Sequence, residues 1–408
     1  MMARFSDKTT GWRRGFRRLP AGIWALGFGS LLMDTSSELV HSLLPVFLST
    51  TLGASIVTIG LIEGIAEASV ALTKLFSGAM SDKLRRRKPL VILGYGLSAC
   101  VKPLFPLAPS VGWIFGARLV DRVGKGIRGA PRDALVAEIA PAELRGAAYG
   151  LRQSLDSVGA FLGPLLALGS LLVFAQNMRV AMWIAVIPAV AAVLVLALFI
   201  REPDRTTSWS SGVSIRVGLL RQIPGRFWLL IALGVVFTLA RFSEAFLILR
   251  AESVGLDLAW IPLVLIVMNI AYAIGAYPAG ALADSIPPRG LLLVGLLLLI
   301  AADALLALSQ SAALVLAGSV LWGVHMAFTQ GLFAKLVADA APPHIRGTAF
   351  GLYNMATGAA LLAASVIAGS LWDMFGPAVT FITGGGFAVL ALFGLLFYSD
   401  DPSARTTR

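Results

Sequence analysis

Acids and bases recur at helical spacing inside stretches that are otherwise almost wholly apolar. Asp34, Glu38 and His41 fall at i, i+4 and i+7, which puts them on one face of a helix, and Glu63, Glu67 and Lys74 repeat the pattern. Arg118, Arg122, Lys125 and Arg132 form a stripe with Asp121 beside it, and Arg152 and Asp156 stand at i, i+4. Groups so arranged can move a proton. A carboxylate beside apolar surface favours its neutral form and one beside an arginine its charged form, so making or breaking a pair captures or releases a proton. Static ion pairs that fix helix packing are the other use of the same residues.

The elements that position these charges are membrane spans. The 408 residues are 57% hydrophobic and 13% charged, too little polar surface for a soluble globule of this length. A span needs roughly 20 mostly apolar residues to cross a core of about 30 Å. Apolar windows give spans near 21–48, 57–80, 89–108, 111–133, 146–173 and 178–200, and then near 227–250, 258–281, 289–309, 312–338, 347–371 and 377–398. An ionisable residue at the centre of such a helix costs about 2.5–3.5 kcal/mol, so the charges must be paired, hydrated or functional.

The net charge of +11 sets topology and gives no sign of nucleic-acid binding. Lys and Arg crowd the segment before the first span, the loop from Lys83 to Lys88 and the stretch from Arg201 to Arg226, while 49–57 and 106–112 hold neither. That asymmetry predicts cytoplasmic termini. The basic start and following apolar run are read as an uncleaved first helix, because Asp34 and Glu38 interrupt the run and no small-residue cleavage site follows. The lone Cys100 leaves no internal disulfide.

The chain is duplicated. Ala137-Glu138-Ile139-Ala140-Pro141, Arg145-Gly146 and Tyr149-Gly150-Leu151 return as Ala338-Asp339-Ala340-Ala341-Pro342, Arg346-Gly347 and Phe350-Gly351-Leu352 at an offset of 201. Gly78 to Asp82 returns as Gly280 to Asp284 at 202. The expected organisation is an N-terminal segment 1–20, a six-helix bundle 21–200, a linker 201–226, a second bundle 227–398 and a tail 399–408. Repeats of this kind place a binding site at their interface near mid-membrane. The offset maps Arg122 to Gly323, Lys125 to Met326, Arg152 to Tyr353 and Asp156 to Thr357, so the second half has neutralised the network. Proton coupling is therefore expected in the first half. Substrate shaping is expected from second-half groups such as Asn269, Tyr272, His325, Gln330, Tyr353 and Asn354, together with Arg241 and Glu244, which fall at i, i+3 in the seventh span.

Three motifs carry a family resemblance. Gly78-Ala-Met-Ser-Asp82-Lys83-Leu84-Arg85-Arg86-Arg87-Lys88 resembles the major facilitator signature G-x-x-x-D-[RK]-x-G-R-[RK], with Arg85 in place of one glycine. Arg122 to Ala130 is similar to the fourth-helix element of that family, with Lys125 and Arg128 at two usually uncharged places. Gly150, Gly159 and Gly163-Pro164 resemble the start of its antiporter motif, G-x8-G-x3-G-P-x2-G-G, whose closing glycines are Ala167 and Leu168 here. The resemblance implies an all-α transmembrane, twelve-helix fold in two pseudo-symmetric six-helix bundles. It also implies a conformational-gating role for Gly78, Asp82, Lys83, Arg86, Arg87, Gly159, Gly163, Pro164 and Asp284. By the same resemblance, helices one, two, four and five face the central cavity. This brings Asp34, Glu38, His41, Glu63, Glu67, Arg118, Asp121, Arg122, Lys125, Arg152 and Asp156 forward as the proton-coupling and cavity set.

The expected function is proton-coupled secondary transport of a small solute across a bacterial inner membrane. Export by antiport is favoured over import by symport, and the chain is expected to work as a monomer in the lipid bilayer without a cofactor. Gly124-Lys125 does not belong to a phosphate loop, because Leu119 stands where the opening glycine belongs and Gly126 follows the lysine. No HExxH or nucleophile elbow suggests an enzyme. His41 with Met33 and His325 with Met326 invite soft-metal transport, but the HxxxM spacing is absent and no metal site is expected.

Overall fold

The computed structural model describes residues 19–84, 86–141, 144–201, 225–283, 288–340 and 346–397, and among them all regular structure is helical. The expected linker and both terminal segments fall almost wholly outside these residues, as does Asp284.

The first half runs α1 (Ala21–Val46), α2 (Ile56–Leu84), α3 (Lys88–Val101), α4 (Val111–Ile139) and α5 (Arg145–Val173). It ends with α6 (Met178–Ile184) and α7 (Val186–Phe199), which together make one crossing. The second half runs α8 (Gly225–Ala240), α9 (Ala245–Ser253), α10 (Leu263–Ala283), α11 (Pro288–Leu308), α12 (Ala312–Ala340), α13 (Arg346–Phe375) and α14 (Pro377–Phe397). Among the described residues, nine helical stretches are long and apolar enough to cross a membrane by length and composition. The remaining three crossings of the twelve-helix fold are α1, α3 and α4. Asp34, Glu38 and His41 lower the hydropathy of α1, a basic stripe does so in α4, and α3 stops after 14 residues.

Several spans depart from the continuous helices the sequence suggested. The seventh is broken: α8 ends at Ala240 and α9 starts at Ala245, so Arg241 and Glu244 flank a non-helical joint instead of sharing a helix face. The third passes from α3 into a 3-10 turn at Lys102–Leu104, whose Pro103 cannot donate to the helical ladder. The first is prolonged by a π-helical turn, Phe47–Thr51, next to Pro45.

The connections alternate between two faces of the bundle. We call the terminal face the one where α1 begins and α14 ends, and the loop face the one that carries the turns after α1, α3, α5, α9, α11 and α13. Gly53 and Gly255, repeats of one another at an offset of 202, make loop-face turns with φ of +66° and +82°, where a side chain would be strained. Ser110, Asn177 and Asp257 accept backbone N–H bonds from Trp113, Val180 and Ala259 to start the elements that follow.

Large apolar side chains such as Phe76, Ile187, Leu198, Ile274 and Leu308 are at least 70% exposed on the outside, as lipid-facing residues should be. Inside, among the described residues, the apolar core joins the halves at the loop face. First-half residues from the loop-face ends, including Leu43, Phe47, Ile59, Phe105, Ile114 and Leu171, share one cluster with Phe246, Val264 and Ala368 of the second half. Near the terminal face the first half has its own core around Ile23, Leu26, Val91, Leu135 and Leu196.

Candidate functional site

The geometry of the site begins with glycines on α5. A Cβ built on Gly159 would lie 2.6 Å from the Leu31 carbonyl and 3.1 Å from the Asp34 Cβ. One built on Gly163 would lie 2.7 Å from the Glu38 Cβ, the Leu39 nitrogen and the Thr35 carbonyl. The motif glycines thus allow α5 to touch α1 at the two turns that carry its carboxylates, the close approach that small residues permit between membrane helices. Pro164 lies inside α5 one residue further on.

Between the halves lies a polar cavity of about 220 Å³. Asp34 and Glu38 of α1, Lys125 of α4 and Gln153, Asp156, Ser157 and Ala160 of α5 line one side, and Asn269 and Tyr272 of α10 line the other. Asn269 Nδ2 reaches across to the Ala160 carbonyl at 3.4 Å. Arg152 Nη1 donates to Asp156 Oδ2 at 2.7 Å, while Asp156 Oδ1 is buried without a partner. Asp34 and Lys125 make no ion pair within 4.0 Å among the described residues, so both charges are available to a solute.

Behind the cavity most of the remaining first-half charges are paired, in several groups that are largely buried. His41 Nδ1 lies 3.3 Å from Glu38 Oε2 and its Nε2 lies 3.7 Å from Glu63 Oε2. Glu63 accepts from Arg118 at 2.7 Å, and Arg122 pairs with Glu67 at 3.2 Å. Lys102 is fully buried and bonds Asp121 at 3.1 Å and Ser37 at 3.0 Å. Toward the terminal face Arg128 bonds Ser98 at 2.7 Å and lies over the Tyr95 ring. Arg132 bonds Ser30 and approaches Asp133 at 3.5 Å, and Lys74 lies 3.9 Å from the same aspartate. Pairing of this density is what a low-dielectric interior requires of charges kept within it. His41 joins the cavity carboxylate Glu38 to the ion pair Glu63–Arg118, so a change at the cavity wall can pass into the network.

Of the expected first-half set, Asp34, Glu38, Lys125 and Asp156 line the cavity. His41, Glu63, Glu67, Arg118, Asp121, Arg122 and Arg152 stand behind it. From the second half, Asn269 and Tyr272 line it. His325 is fully buried, its Nδ1 2.8 Å from the Gly295 carbonyl and its ring stacked on Phe237. Tyr353 stacks on Phe333 and packs against Gly234, and Asn354 is exposed. Arg241 and Glu244 form no ion pair with each other among the described residues. The side chains of Gln330, Asp82 and Lys83 lie outside the described residues. Of the other gating residues, Gly78 packs against the Ala130 Cβ of α4, Arg86 is exposed and Arg87 pairs with Glu138 at 3.3 Å.

Sequence reasoning missed Gln153 and Ser157, which share the cavity-facing stripe of α5 with Asp156 and could have been read from its period. It also missed Lys102, a charge at the end of an apolar run, and Asp303, an acid buried within α11.

The loop-face end of the interface is closed by contacts between the halves. The Asp373 carboxylate, at the end of α13, accepts the N–H groups of Ile56 at 3.1 Å and Val57 at 2.9 Å and so caps α2 from the other half. Ser49 donates to Glu252 at 3.2 Å, Gln176 to Asp257 at 3.0 Å, and α2 packs on α13 where a Gly64 Cβ would meet Leu362 at 2.8 Å.

Comparison with known proteins adds the following. The sequence model described as Major Facilitator Superfamily matches residues 26–268 and 229–408. An uncharacterised MFS-type transporter of Methanocaldococcus jannaschii is 34% identical over 390 residues, covering 93% of this chain and 96% of that relative. Among solved structures, the nucleoside transporter NupG superposes with a TM-score of 0.75 at 13% identity, covering 92% of this chain and 98% of that one. A D-xylose-proton symporter does so with a TM-score of 0.75 at 16% identity, covering 93% and 98%. At these identities the two structures attest the fold.

Proposed function

The chain belongs to the Major Facilitator Superfamily, and from that premise we propose that it is a proton-coupled secondary transporter that moves a small polar solute by alternating access. The observation that carries the proposal is the cavity between the halves, where Asp34, Glu38 and Asp156 face Asn269 and Tyr272 beside Lys125, which has no ion-pair partner among the described residues. Carboxylates supply proton sites, and amide, phenol and ammonium groups supply polar recognition.

The chemistry follows from the Arg152–Asp156 pair. A proton taken up by Asp156 cancels its charge and frees Arg152, which then turns toward Asp133, 3.8 Å away in the present arrangement. Glu38 is the second proton site, because its protonation weakens the His41 contact and with it the link to Glu63 and Arg118. Both changes fall where α1 and α5 touch through Gly159 and Gly163, so proton binding acts on the contact between two helices that line the cavity. Solute and proton compete for the same acids, which favours antiport, and the glycine-proline motif on α5 supports export.

The test is transport in proteoliposomes with an imposed pH gradient, using a polar solute chosen by thermal stabilisation of the purified protein. Accumulation of solute on the acidic side supports antiport. Accumulation on the alkaline side, with protons travelling alongside, identifies symport and overturns that part of the proposal. A gradient without effect overturns proton coupling.

A further inference from the structure

Among the described residues three acids are almost wholly buried: Glu63 and Asp303 at 1% exposure and Asp121 at 3%. Two of them carry a base, since Arg118 donates to Glu63 at 2.7 Å and Lys102 to Asp121 at 3.1 Å. Asp303, within α11, carries none. Neither of its carboxylate oxygens has a hydrogen-bond partner, and no basic side chain among the described residues lies within 4.0 Å of it.

The surroundings of Asp303 are tightly packed and apolar. A Cβ built on Gly384 of α14 would lie 2.9 Å from the Phe242 ring, 3.1 Å from Asp303 Oδ2 and 3.4 Å from the Ala240 carbonyl oxygen. The acid and the joint between α8 and α9 therefore meet over Gly384. Phe242 in turn packs with Phe246, Trp322 and Phe381, and all four rings are at most 4% exposed. Water is excluded from this side of the acid by aromatic carbon.

The charged groups of the neighbouring elements are engaged elsewhere. Arg250 of α9 gives its donors to the Leu306 and Ser309 carbonyls at 2.9 and 2.5 Å, at the end of α11. His325 of α12 stands beside the Gly295 carbonyl, about 12 Å along α11 from Asp303. Arg241 and Glu244 at the joint form no ion pair with Asp303 among the described residues, and α10 and α14 hold no charged residue. The internal repeat points the same way. At the offset of 201, Asp303 maps to Lys102 and Trp322 to Asp121, so an acid and a neutral indole stand where the first half has an ion pair.

A carboxylate charge buried without a partner costs so much that such a group takes up a proton instead. We propose that Asp303 is a proton-binding site of the second half, neutral while α11, α14 and the α8–α9 joint are packed as here, and charged only when they part and admit water. A proton adds no volume, so it suits a site packed this closely. It acts as a latch on the broken seventh span: with the proton bound the aromatic cluster closes over α11, and loss of the proton favours opening of the joint. The site is separate from the cavity carboxylates and stands whichever way the solute moves.

Infrared spectroscopy of the purified full-length protein, with its aspartate carboxyls labelled with carbon-13, tests this. At about pH 7 the wild type should show the carbonyl stretch of a protonated aspartate, and Asp303→Asn should lose it. The Asp34→Asn, Asp156→Asn double variant, which removes the cavity aspartates, should keep it, and decides the matter if Asp303→Asn does not fold. Equilibrium unfolding gives a second readout. Between about pH 5 and pH 7 an unfolded aspartate, with its usual value of about 3.9, has lost its proton while folded Asp303 keeps one. The folding constant of the wild type should therefore fall about tenfold per pH unit relative to Asp303→Asn. Absence of the band from the wild type, its survival in Asp303→Asn, its loss in the double variant, or parallel pH profiles for wild type and Asp303→Asn would each overturn the proposal.

Discussion

Replacing Asp373 by alanine should open the loop face. In the structure its carboxylate accepts two N–H bonds, from Ile56 and Val57, at the start of α2 in the other half of the molecule. These donors have no partner within their own helix. Losing a cap of this kind costs about 0.5–2 kcal/mol, and the negative charge at the helix start adds a few tenths more. About 1–2 kcal/mol is therefore removed from the state closed at this face, and the open state, in which α2 and α13 have separated, loses nothing. The open-to-closed ratio should rise about 5- to 30-fold. Asp373→Asn keeps an acceptor and gives up the charge, so it should fall between wild type and alanine. The assay is labelling of Ser157→Cys on the cavity wall, in a Cys100→Ser background, with a membrane-impermeant maleimide applied from the loop face. Its rate follows the open population. A rate for Asp373→Ala within about twofold of the parent, or a slower one, would refute the view that this trans cap holds the face shut.

Two further substitutions test packing and burial. Gly163→Ala places a methyl group 2.7 Å from backbone and Cβ atoms of α1, and it should destabilise by about 1–3 kcal/mol in thermal unfolding. Gly169→Ala, with nothing within 4 Å, should be neutral or slightly stabilising. Lys102→Met leaves Asp121 buried without its cation and should cost about 3–5 kcal/mol, whereas adding Asp121→Leu should recover most of the loss. A double variant as unstable as Lys102→Met would show that the pair does not act as a unit.

The span pattern and the duplication were legible in the sequence because they rest on apolar periodicity and on loop motifs that repeat at a fixed offset. The i, i+4 pairing of Arg152 with Asp156 was legible for the same reason: partners on one helix are fixed by the helical period. Partners on different helices were not. That Glu63 meets Arg118, or that Lys102 meets Asp121, depends on how α2, α3 and α4 pack, and a linear pattern does not encode their rotation. The break at Arg241–Glu244 carries no proline or glycine to announce it. Its helix ends are held by tertiary contacts, among them the Phe242 ring packed with Phe246, Trp322 and Phe381. Asp303 shows how a repeat can mislead. Charges of the first half that vanish at the offset suggested a second half without buried ionic chemistry, yet an acid with no first-half counterpart lies where the lysine should map.

The most direct measurement is proton movement itself. Proteoliposomes holding a pH-sensitive dye, given a gradient of a solute that stabilises the purified protein, should show a pH change with the wild type. The Glu38→Gln, Asp156→Asn double variant should still exchange solute for solute, which proves it folded and mobile, while the dye stays silent. A dye response of wild-type size in that variant would contradict proton coupling through the cavity carboxylates.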